Sequence, residues 1–395
     1  MLASMGFIYS AAVSVIIVLQ GPVWQIIETA ASGRSPEPIS LSDLQVLEQD
    51  KWISRVWTYQ ELVNSKETYF TTMNVSVNTP VVQAQPFLDC IGASLNKWTK
   101  ENNQGNLSVV DTFPHLNILE EALLDTLMGS YLERTALGVL SNITLRDFDE
   151  NFPKNRLLAC LGTLSQDVSW GSPSTSLEQL AEKLMRICEA NNDYSFIYTS
   201  DERSDLPRLR WRPNPTQQSL NGPANLIPII NWHSSSSQYG AAGATQGAHT
   251  DSSGFWLDNM VRLRRSSRTD EKAAKELEQY VYGSEDPAHP NNIYIGIFRP
   301  KAGDLLNWEK DLLKFFVRIG FTGSHVPQIC EKGLFYTQKD IQNREEVEFF
   351  AAASIVWKFG NPGLARWKED GIVKYCAGIY AGLLKQEEAE SILII

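Results

Sequence analysis

The first 27 residues carry no charged side chain, and they contain the dense apolar run FIYSAAVSVIIVLQG. Gly21-Pro22 interrupts this run before it reaches the ~20 residues that a transmembrane helix needs, and no basic segment precedes it. We therefore expect no membrane association, with a membrane anchor at residues 7–20 as the alternative. Residues 13–19 are rich in β-branched side chains and favour a buried parallel strand, preceded by a helix over residues 1–12. A helix that leads into a core strand is typical of an α/β fold.

Length and charge limit the classes of protein to which the chain can belong. Its 395 residues are enough for two domains, and its 43% hydrophobic content excludes whole-chain disorder. The 35 basic and 46 acidic side chains leave a formal charge of −11. This charge is opposite in sign to the field that binding to a phosphate backbone requires. We therefore expect no nucleic-acid partner.

The cysteines and histidines are dispersed along the chain. No two of the five cysteines form a C-x-x-C pair, and the five histidines show no close zinc-type spacing. We therefore predict buried, reduced thiols, a cytoplasmic location and no metal site. The cysteines are Cys90, Cys160, Cys188, Cys330 and Cys376.

Hydrophobic spacing predicts the remaining elements of the N-terminal half. Apolar residues recur every three to five positions over 43–65, as one amphipathic helix or two abutting helices require, and the aromatic stretch 67–72 favours a strand. The first 75 residues therefore predict the order helix–strand–helix–strand. We predict further helices over residues 86–145, a short buried helix from 154 that ends near Gly162, a helix over 176–190 with a capping-box pair at Ser176 and Gln179, and a strand over 194–200.

The last two hundred residues carry weaker signals. A Ser/Gly-rich tract at 234–254 predicts a long loop. An acidic helix pattern follows the basic cluster of Arg262, Arg264, Arg265 and Arg268, which favours a salt-bridged surface over a phosphate site. Predicted strands at 292–298, 334–337 and 372–375, with a helix over 345–358, make residues 201–395 an α+β region.

Two segments near the N-terminus resemble the motifs of one protein family. KWISRVWTYQELVNS, at 51–65, resembles the closing motif of the fungal heterokaryon-incompatibility (HET) domain, W-x-x-R-x-W-T-x-Q-E on one helix. MGFIYSAAVSVIIVLQG, at 5–21, is similar to the family's M-x-x-I-Y-x-x-A-x-x-V-x-V-x-L-G segment. Weaker similarities lie at 152–166 and 206–215. The residues that match the closing motif are Trp52, Arg55, Trp57, Thr58, Gln60 and Glu61.

The resemblance implies a fold for the first part of the chain, a partial TIR-like or flavodoxin-like α/β fold over residues 1–75. The hydrophobic pattern predicts that a helical extension over 76–200 and the α+β region of 201–395 follow it. Family members also carry an earlier half with Y-x-W-G and W-I-D-x-x-C-I-x-Q motifs, and neither string occurs in this chain. We therefore expect the N-terminal half of the HET domain to be missing from this sequence.

The resemblance also implies a candidate site. The HET domain is distantly similar to TIR domains, and Glu61 corresponds to the glutamate of the TIR members that cleave NAD. By the same resemblance Trp57 is a stacking wall, Arg55 a phosphate contact and Gln60 a substrate-binding side chain. On one helix, Trp57 and Glu61 project from the same face at i and i+4. Alternatively, the aromatic residues pack in the core, Gln60 and Glu61 form an exposed helix edge, and Arg55 pairs with Asp50.

These observations lead to one leading hypothesis and two alternatives. We expect a cytoplasmic HET-related protein of fungal non-self recognition and regulated cell death, which acts through protein partners. No Gly-rich phosphate-binding loop occurs, and no cofactor is predicted. The alternatives are an NAD-cleaving glycohydrolase that uses Glu61 and a degenerate, inactive copy.

Overall fold

A computed structural model gives the structure of the chain, and it describes two compact units, Met1–Arg134 with Asn142–Ser176 and Thr135–Ser141 with Leu177–Ile395. Domain boundaries expected at residues 75 and 200 do not coincide with this division. The described residues are 5–32, 38–73, 80–102, 112–119, 122, 139–140, 142–143, 146–147, 154–165, 175–199, 202–215, 248–266, 272, 327–331, 333–341, 344, 346–353, 361–382, 384 and 386–394.

Helices and strands alternate at the start of the first unit, as the sequence predicts. The order helix–strand–helix–strand is confirmed, with one helix that the pattern did not reveal, α2. Its apolar residues Ile26, Ile27 and Ala30 are all buried. The elements are α1 (Met5–Ala11), β1 (Val15–Leu19), α2 (Trp24–Ala31), α3 (Leu41–Glu48), α4 (Lys51–Ser54), α5 (Thr58–Asn64), β2 (Thr68–Thr72), β3 (Val82–Gln83), α6 (Ala84–Asn102) and α7 (Lys154–Leu164).

Strand β1 pairs in parallel with β2, so the predicted parallel strand is confirmed. The register places Val15 opposite Thr68, and β3 runs antiparallel on the other side of β2. Only one face of β1 is covered. Ile17 and Leu19 are buried, whereas Ile16 is 57% and Val18 is 44% exposed. The expectation of a strand buried on both faces is therefore wrong.

An aromatic cluster fills the core beneath the covered face of this sheet. Phe70, at the centre of β2, stacks on Phe87 of α6 with ring centroids 4.3 Å apart. Trp52 meets Phe70 edge-on at 5.4 Å. Such aromatic pairs contribute roughly 0.5–1.5 kcal/mol beyond the area that they bury. The cluster therefore ties α4 and α6 to β2.

The segment 51–65 is not one helix. Over 43–65, for which the pattern predicts one helix or two, the structure has three helices, α3, α4 and α5. Helix α4 ends at Ser54, Arg55 is extended with φ −72° and ψ 143°, and α5 begins at Thr58. The backbone of Asp147 causes the break. Its carbonyl accepts from the N–H of Val56 at 2.9 Å, and its N–H donates to the carbonyl of Ser54 at 2.8 Å. Backbone groups that would extend the helix are thus paired with a remote segment.

The Asp50 carboxylate fixes the end of β1 to the start of α4. One oxygen accepts from the backbone N–H groups of Gln20 at 2.7 Å and Gly21 at 2.9 Å. The other caps α4 by accepting from the N–H of Trp52 at 2.8 Å. Asp50 is buried, so these three bonds replace its hydration. Its oxygens are engaged with backbone, and the alternative pairing with Arg55 is not formed.

The predicted helix over 176–190 lies in the second unit and is confirmed as α8 (Leu177–Ala190). The predicted strand at 194–200 is wrong, because Ser195–Tyr198 form a 3-10 turn in which all four residues are buried. Arg203 supplies hydrogen-bond donors to carbonyl groups of this turn and of the residue after it. Its guanidinium donates to the carbonyls of Ile197 at 2.6 Å and Thr199 at 3.0 Å.

The rest of the described second unit is antiparallel sheet. Predicted strands at 334–337 and 372–375 are confirmed. The predicted helix over 345–358 is wrong where the structure describes it, because β8 occupies this segment between β5 and β9. The strands are β4 (His249–Thr250), β5 (Phe255–Leu263), β6 (Gln328–Cys330), β7 (Gly333–Thr337), β8 (Glu348–Ala352), β9 (Asn361–Glu369), β10 (Ile372–Gly382) and β11 (Ala389–Ile394).

Burial on both faces of β8 overrides its helix-favouring composition. Phe349 packs in the sheet's core cluster, while Phe350 lies beneath the guanidinium groups of Arg262 and Arg366, 5.2 and 5.0 Å from the ring centroid. A helix would not present both rings to these opposite surfaces. Tertiary pairing therefore decides the conformation against local propensity.

Six of these strands form a closed barrel. The order β5-β8-β9-β10-β7-β6 returns to the residues after β5, since the Ser266 N–H donates to the Ile329 carbonyl at 2.9 Å and the Glu331 N–H to the Arg264 carbonyl at 3.0 Å. Phe335 lies in the enclosed core, and a Cβ on Gly378 would come within 2.2 Å of its ring. This close approach is available only to glycine.

Several sequence predictions lie outside the described residues. These are the strand at 292–298, most of the helical region 103–145 and the part of the Ser/Gly-rich tract at 234–247. The end of that tract is described, and it forms the turn between β4 and β5, in which the Asp251 N–H donates to the Gly254 carbonyl at 2.9 Å.

The Asp50 bonds give the first testable prediction. Replacing Asp50 by Ala leaves three backbone N–H groups without their acceptor, and we expect a loss of about 2–4 kcal/mol in the free energy of unfolding. Asp43→Ala is the matched control, because Asp43 lies in the first turn of α3 and its carboxylate accepts from the Ser40 hydroxyl in a solvent-exposed hydrogen bond. We expect that change to stay within about 0.5 kcal/mol. Equal effects of the two variants, measured by urea denaturation, would contradict the role of Asp50.

Candidate functional site

The carboxylate of Glu61 joins the two segments that resemble the family motifs. It lies in the first turn of α5 and is partly buried. One oxygen accepts from the hydroxyl of Tyr9 on α1 at 3.0 Å. The other accepts from the indole Nε1–H of Trp52 on α4 at 2.7 Å. Hydrogen bonds to a charged group are roughly twice as strong as neutral ones, so this contact holds three helices together.

Tyr9 is a hydrogen-bond donor throughout the neutral pH range. Burial raises the pKa of its hydroxyl well above the ordinary value, and the nearby Glu61 carboxylate raises it further. The positive charge of Arg55 acts on the same pKa in the opposite direction. Arg55 is thus close enough to influence this hydroxyl.

Arg55 is the exposed member of the candidate site. Its extended backbone lies between α4 and α5, and its side chain is exposed. Among the described residues it makes no ion pair. Its guanidinium is therefore open to an anionic group from outside the unit.

Trp57 and Gln60 lie in the core rather than at an open surface. Trp57 is 8% exposed and Gln60 is 0% exposed. Because the helix breaks before Thr58, Trp57 precedes α5 as its N-cap, outside the helical residues. Packing is the role that these two positions favour, and of the four sequence-predicted site residues only Glu61 and Arg55 combine charge with access to solvent. The expected exposed helix edge at Gln60 is wrong.

Gln60 is buried where three helices of the first unit meet. A Cβ on Gly162 of α7 would lie 2.3 Å from Oε1 of Gln60, and a Cβ on Gly6 of α1 would lie 2.1 Å from the carbonyl oxygen of Gly162. The two glycines therefore allow α1 and α7 to approach each other. Asn64 Nδ2 donates to that same carbonyl at 2.8 Å. Gly162 lies in the last turn of α7, which ends at Leu164, so the predicted short buried helix that ends near Gly162 is confirmed.

Arg146 supports the motif from a remote part of the chain. It is buried, its Nη1 donates to the carbonyl of Ile53 at 3.1 Å and to Oγ1 of Thr58 at 2.9 Å, and its guanidinium lies 5.6 Å from the Tyr59 ring centroid. The guanidinium thus bridges α4 and α5 across their break. Sequence reasoning missed this residue, because no local pattern relates positions 88 or more apart.

A second ionisable pair lies on α3 and the helical residues 114–119. Glu48 accepts from the backbone N–H groups of His115 and Leu116, both at 2.9 Å, and caps this helical stretch. The His115 Nδ1 is 2.8 Å from Glu48, and its Nε2 is 3.6 Å from Asp147. The hydrogen bond to Glu48 raises the pKa of His115, against an opposing effect of burial and of Arg146.

The cysteines do not form a reactive site. All five are buried and free of disulfide bonds, as predicted. Burial raises the pKa of Cys160 and Cys330 to about 12 and that of Cys376 to about 11. These three thiols stay protonated and are poor nucleophiles. Among the described residues no group of three or more His, Cys, Asp or Glu side chains is arranged to hold a metal ion.

A cavity of about 370 Å³ opens in the second unit, where the residues after β5 pair with β6. Arg262, at its rim, forms ion pairs with Glu348 and with Glu390, which confirms a salt-bridged surface for this member of the basic cluster. Arg268 lies outside the described residues. The cavity is lined by Val261, Arg262, Leu263, Arg264, Cys330, Glu331, Tyr380, Glu388 and Glu390.

Two buried amides on α5 give predictions of opposite sign. Within the described part of the chain, the Gln60 amide has no hydrogen-bond partner, whereas Asn64 donates to Gly162. Gln60→Met keeps the volume and removes an unsatisfied polar group, so we expect a change between zero and about 2 kcal/mol of stabilisation. Asn64→Leu should destabilise by about 1–3 kcal/mol. Thermal and urea denaturation measure both, and a loss of more than about 1 kcal/mol in Gln60→Met would show that this amide is satisfied.

The His115 pair gives a pH prediction. Because the folded pKa is raised above 6.5, the protonated form adds stability that is fully present below pH 6.5 and is lost as the pH rises through the folded pKa. The stability difference between the unaltered chain and His115→Gln should therefore be larger at pH 5.5 than at pH 8.5. Comparing both proteins in a Glu48→Gln background is the control, where this pH dependence should shrink. A difference that does not change with pH would contradict the pairing.

Comparison with known proteins finds no relative of this chain. No family model, curated protein or solved structure matches it. No described helix combines the length and apolar character needed to cross a bilayer.

Proposed function

We propose that the chain is a HET-related protein of fungal non-self recognition and regulated cell death, and that it acts through association with protein partners. One observation carries the proposal. The segments at 5–21 and 51–65, which resemble two motifs of one family, are in direct contact through the hydrogen bond from Tyr9 to Glu61. If the two motifs come from one domain, contact between them is expected. Chance similarity of two segments gives no reason for them to be in contact.

We further propose that the α/β layer of the first unit is a partial TIR-like or flavodoxin-like fold. The parallel pair of β1 and β2 supports this assignment, because parallel strands need a crossover connection that usually contains a helix. Four helices, α2 to α5, lie in this connection. A sheet of this class is extended on both sides of its central strands.

The association role rests on an exposed apolar surface. This surface, named here the β1 surface, is uncharged and includes Ile16 and Val18 on one face of β1. Ile16 and Val18 are neighbours on one exposed face of the strand, and exposed apolar patches mark interaction sites. Five buried, free thiols are typical of a reducing compartment, and we propose a cytoplasmic location. The residues of the β1 surface are Phe7, Ile8, Val13, Ile16 and Val18.

Expression in a heterologous fungal host tests the proposed function. We expect expression of the chain to slow growth, and Ile16→Lys to abolish this effect because a charge on the β1 surface opposes burial. The matched control is Ile372→Lys, which places the same charge on an exposed isoleucine of β10 in the second unit. No growth effect from the unaltered chain, or the same effect from Ile16→Lys, contradicts the proposal and favours a degenerate copy.

A second candidate function is NAD cleavage by Glu61. The observation that favours it is a partly buried carboxylate and an exposed arginine that both act on the Tyr9 hydroxyl, since a carboxylate can stabilise the oxocarbenium-like centre as nicotinamide leaves. Purified chain and NAD should then release nicotinamide, and Glu61→Gln should abolish the release. Glu67→Gln is the control, because Glu67 is an exposed glutamate near the same helix. No release by the unaltered chain excludes this activity.

A further inference from the structure

One edge of β1 carries no partner strand among the described residues. In the three-stranded sheet, β2 pairs with β1 on one side and with β3 on the other, which leaves β1 at the end. A free edge presents a row of unpaired backbone N–H and C=O groups, a template for pairing with another chain. Edge strands of soluble proteins usually carry charges or proline that oppose such pairing. The sequence of β1, VIIVL, has neither.

We propose that β1 pairs antiparallel with β1 of a second copy of this chain, so that two three-stranded sheets join into one. This inference rests on the proposed function, because it names the protein partner with which the chain associates. A two-fold axis through the middle of the strand generates the pairing, with the same residues contributed by both copies.

The sequence of β1 suits this symmetry. With Ile17 on the two-fold axis, Ile16 of one copy lies opposite Val18 of the other, and the same contact is repeated on the other side of the axis. Side chains alternate between the faces of a strand, so these exposed residues meet on the same face. Directly opposed β-branched side chains contribute roughly 0.2–1 kcal/mol per pair. The two most exposed side chains of β1 therefore become cross-strand neighbours.

Electrostatics favours a second copy over a charged partner. The chain carries a formal charge of −11, so two copies repel each other over much of their surfaces. Residues 1–27 have no charged side chain, and contact through this segment buries no ionised group of its own. A charged partner would gain no ion pair there. An uncharged apolar surface is complementary to itself.

The oligomeric state of the full chain tests the inference. By sedimentation equilibrium over roughly 1–200 µM, we expect a monomer–dimer equilibrium, which Ile16→Lys weakens by about tenfold or more. Ile372→Lys is the matched control and should dimerise like the unaltered chain. A chain that stays monomeric over this range, or dimerisation that Ile16→Lys leaves unchanged, overturns the inference.

Disulfide trapping tests the register. Because Ile16 lies opposite Val18 in the proposed pairing, Ile16→Cys mixed with Val18→Cys should form a disulfide-linked heterodimer under mild oxidation. Ile16→Cys alone should give little linked dimer, since its two copies are diagonal and not directly opposed. Linked Ile16→Cys homodimer as the main product overturns the antiparallel register.

The growth assay separates failure of this inference from failure of the proposed function. A monomeric chain whose growth effect is abolished by Ile16→Lys overturns pairing with a second copy, while association with another protein stands. A dimer that has no growth effect overturns the proposed function and leaves the pairing intact.

Discussion

The first unit depends on one carboxylate that receives two hydrogen bonds from different helices. Glu61 on α5 accepts from Tyr9 on α1 and from Trp52 on α4. A partly buried carboxylate without such donors would be costly, so the three helices are stable together and not in separation. The exposed Arg55 lies close enough to lower the pKa of the same Tyr9 hydroxyl, so a positive charge and the Glu61 carboxylate act on one group.

Other contacts of the first unit fix the orientation of the β1 surface. Asp50 fixes the end of β1 through the backbone N–H groups of Gln20 and Gly21, and α1 is held against α7 by the approach of two glycines. The strand thus presents Ile16 and Val18 outward in a fixed orientation. A rigid apolar surface loses less entropy on binding than a flexible one, which favours a role in association.

Local patterns predicted those elements whose conformation is decided locally. The β-branched run of β1, the aromatic run of β2 and the apolar stripe of α8 were all predicted at nearly their observed positions. Patterns failed where a remote residue decides the outcome. The backbone of Asp147 forms hydrogen bonds with residues 54 and 56, which interrupts the helix predicted for the motif. Pairing with β5 and β9 makes β8 a strand although its composition favours a helix. The roles predicted for Glu61 and Arg55 stay predictions, Trp57 and Gln60 lie in the core, and Arg146 was missed because no local spacing identifies it.

A double-mutant cycle between Tyr9 and Glu61 tests most directly whether this carboxylate unites the two segments. Urea denaturation of Tyr9→Phe, Glu61→Gln and the double variant should give a coupling free energy of about 1–3 kcal/mol, as expected for a hydrogen bond to a charged group. The exposed pair of Tyr69 and Glu67, joined at 3.1 Å, is the control and should show a coupling near zero. Additive effects for Tyr9 and Glu61, within about 0.3 kcal/mol, would contradict the account.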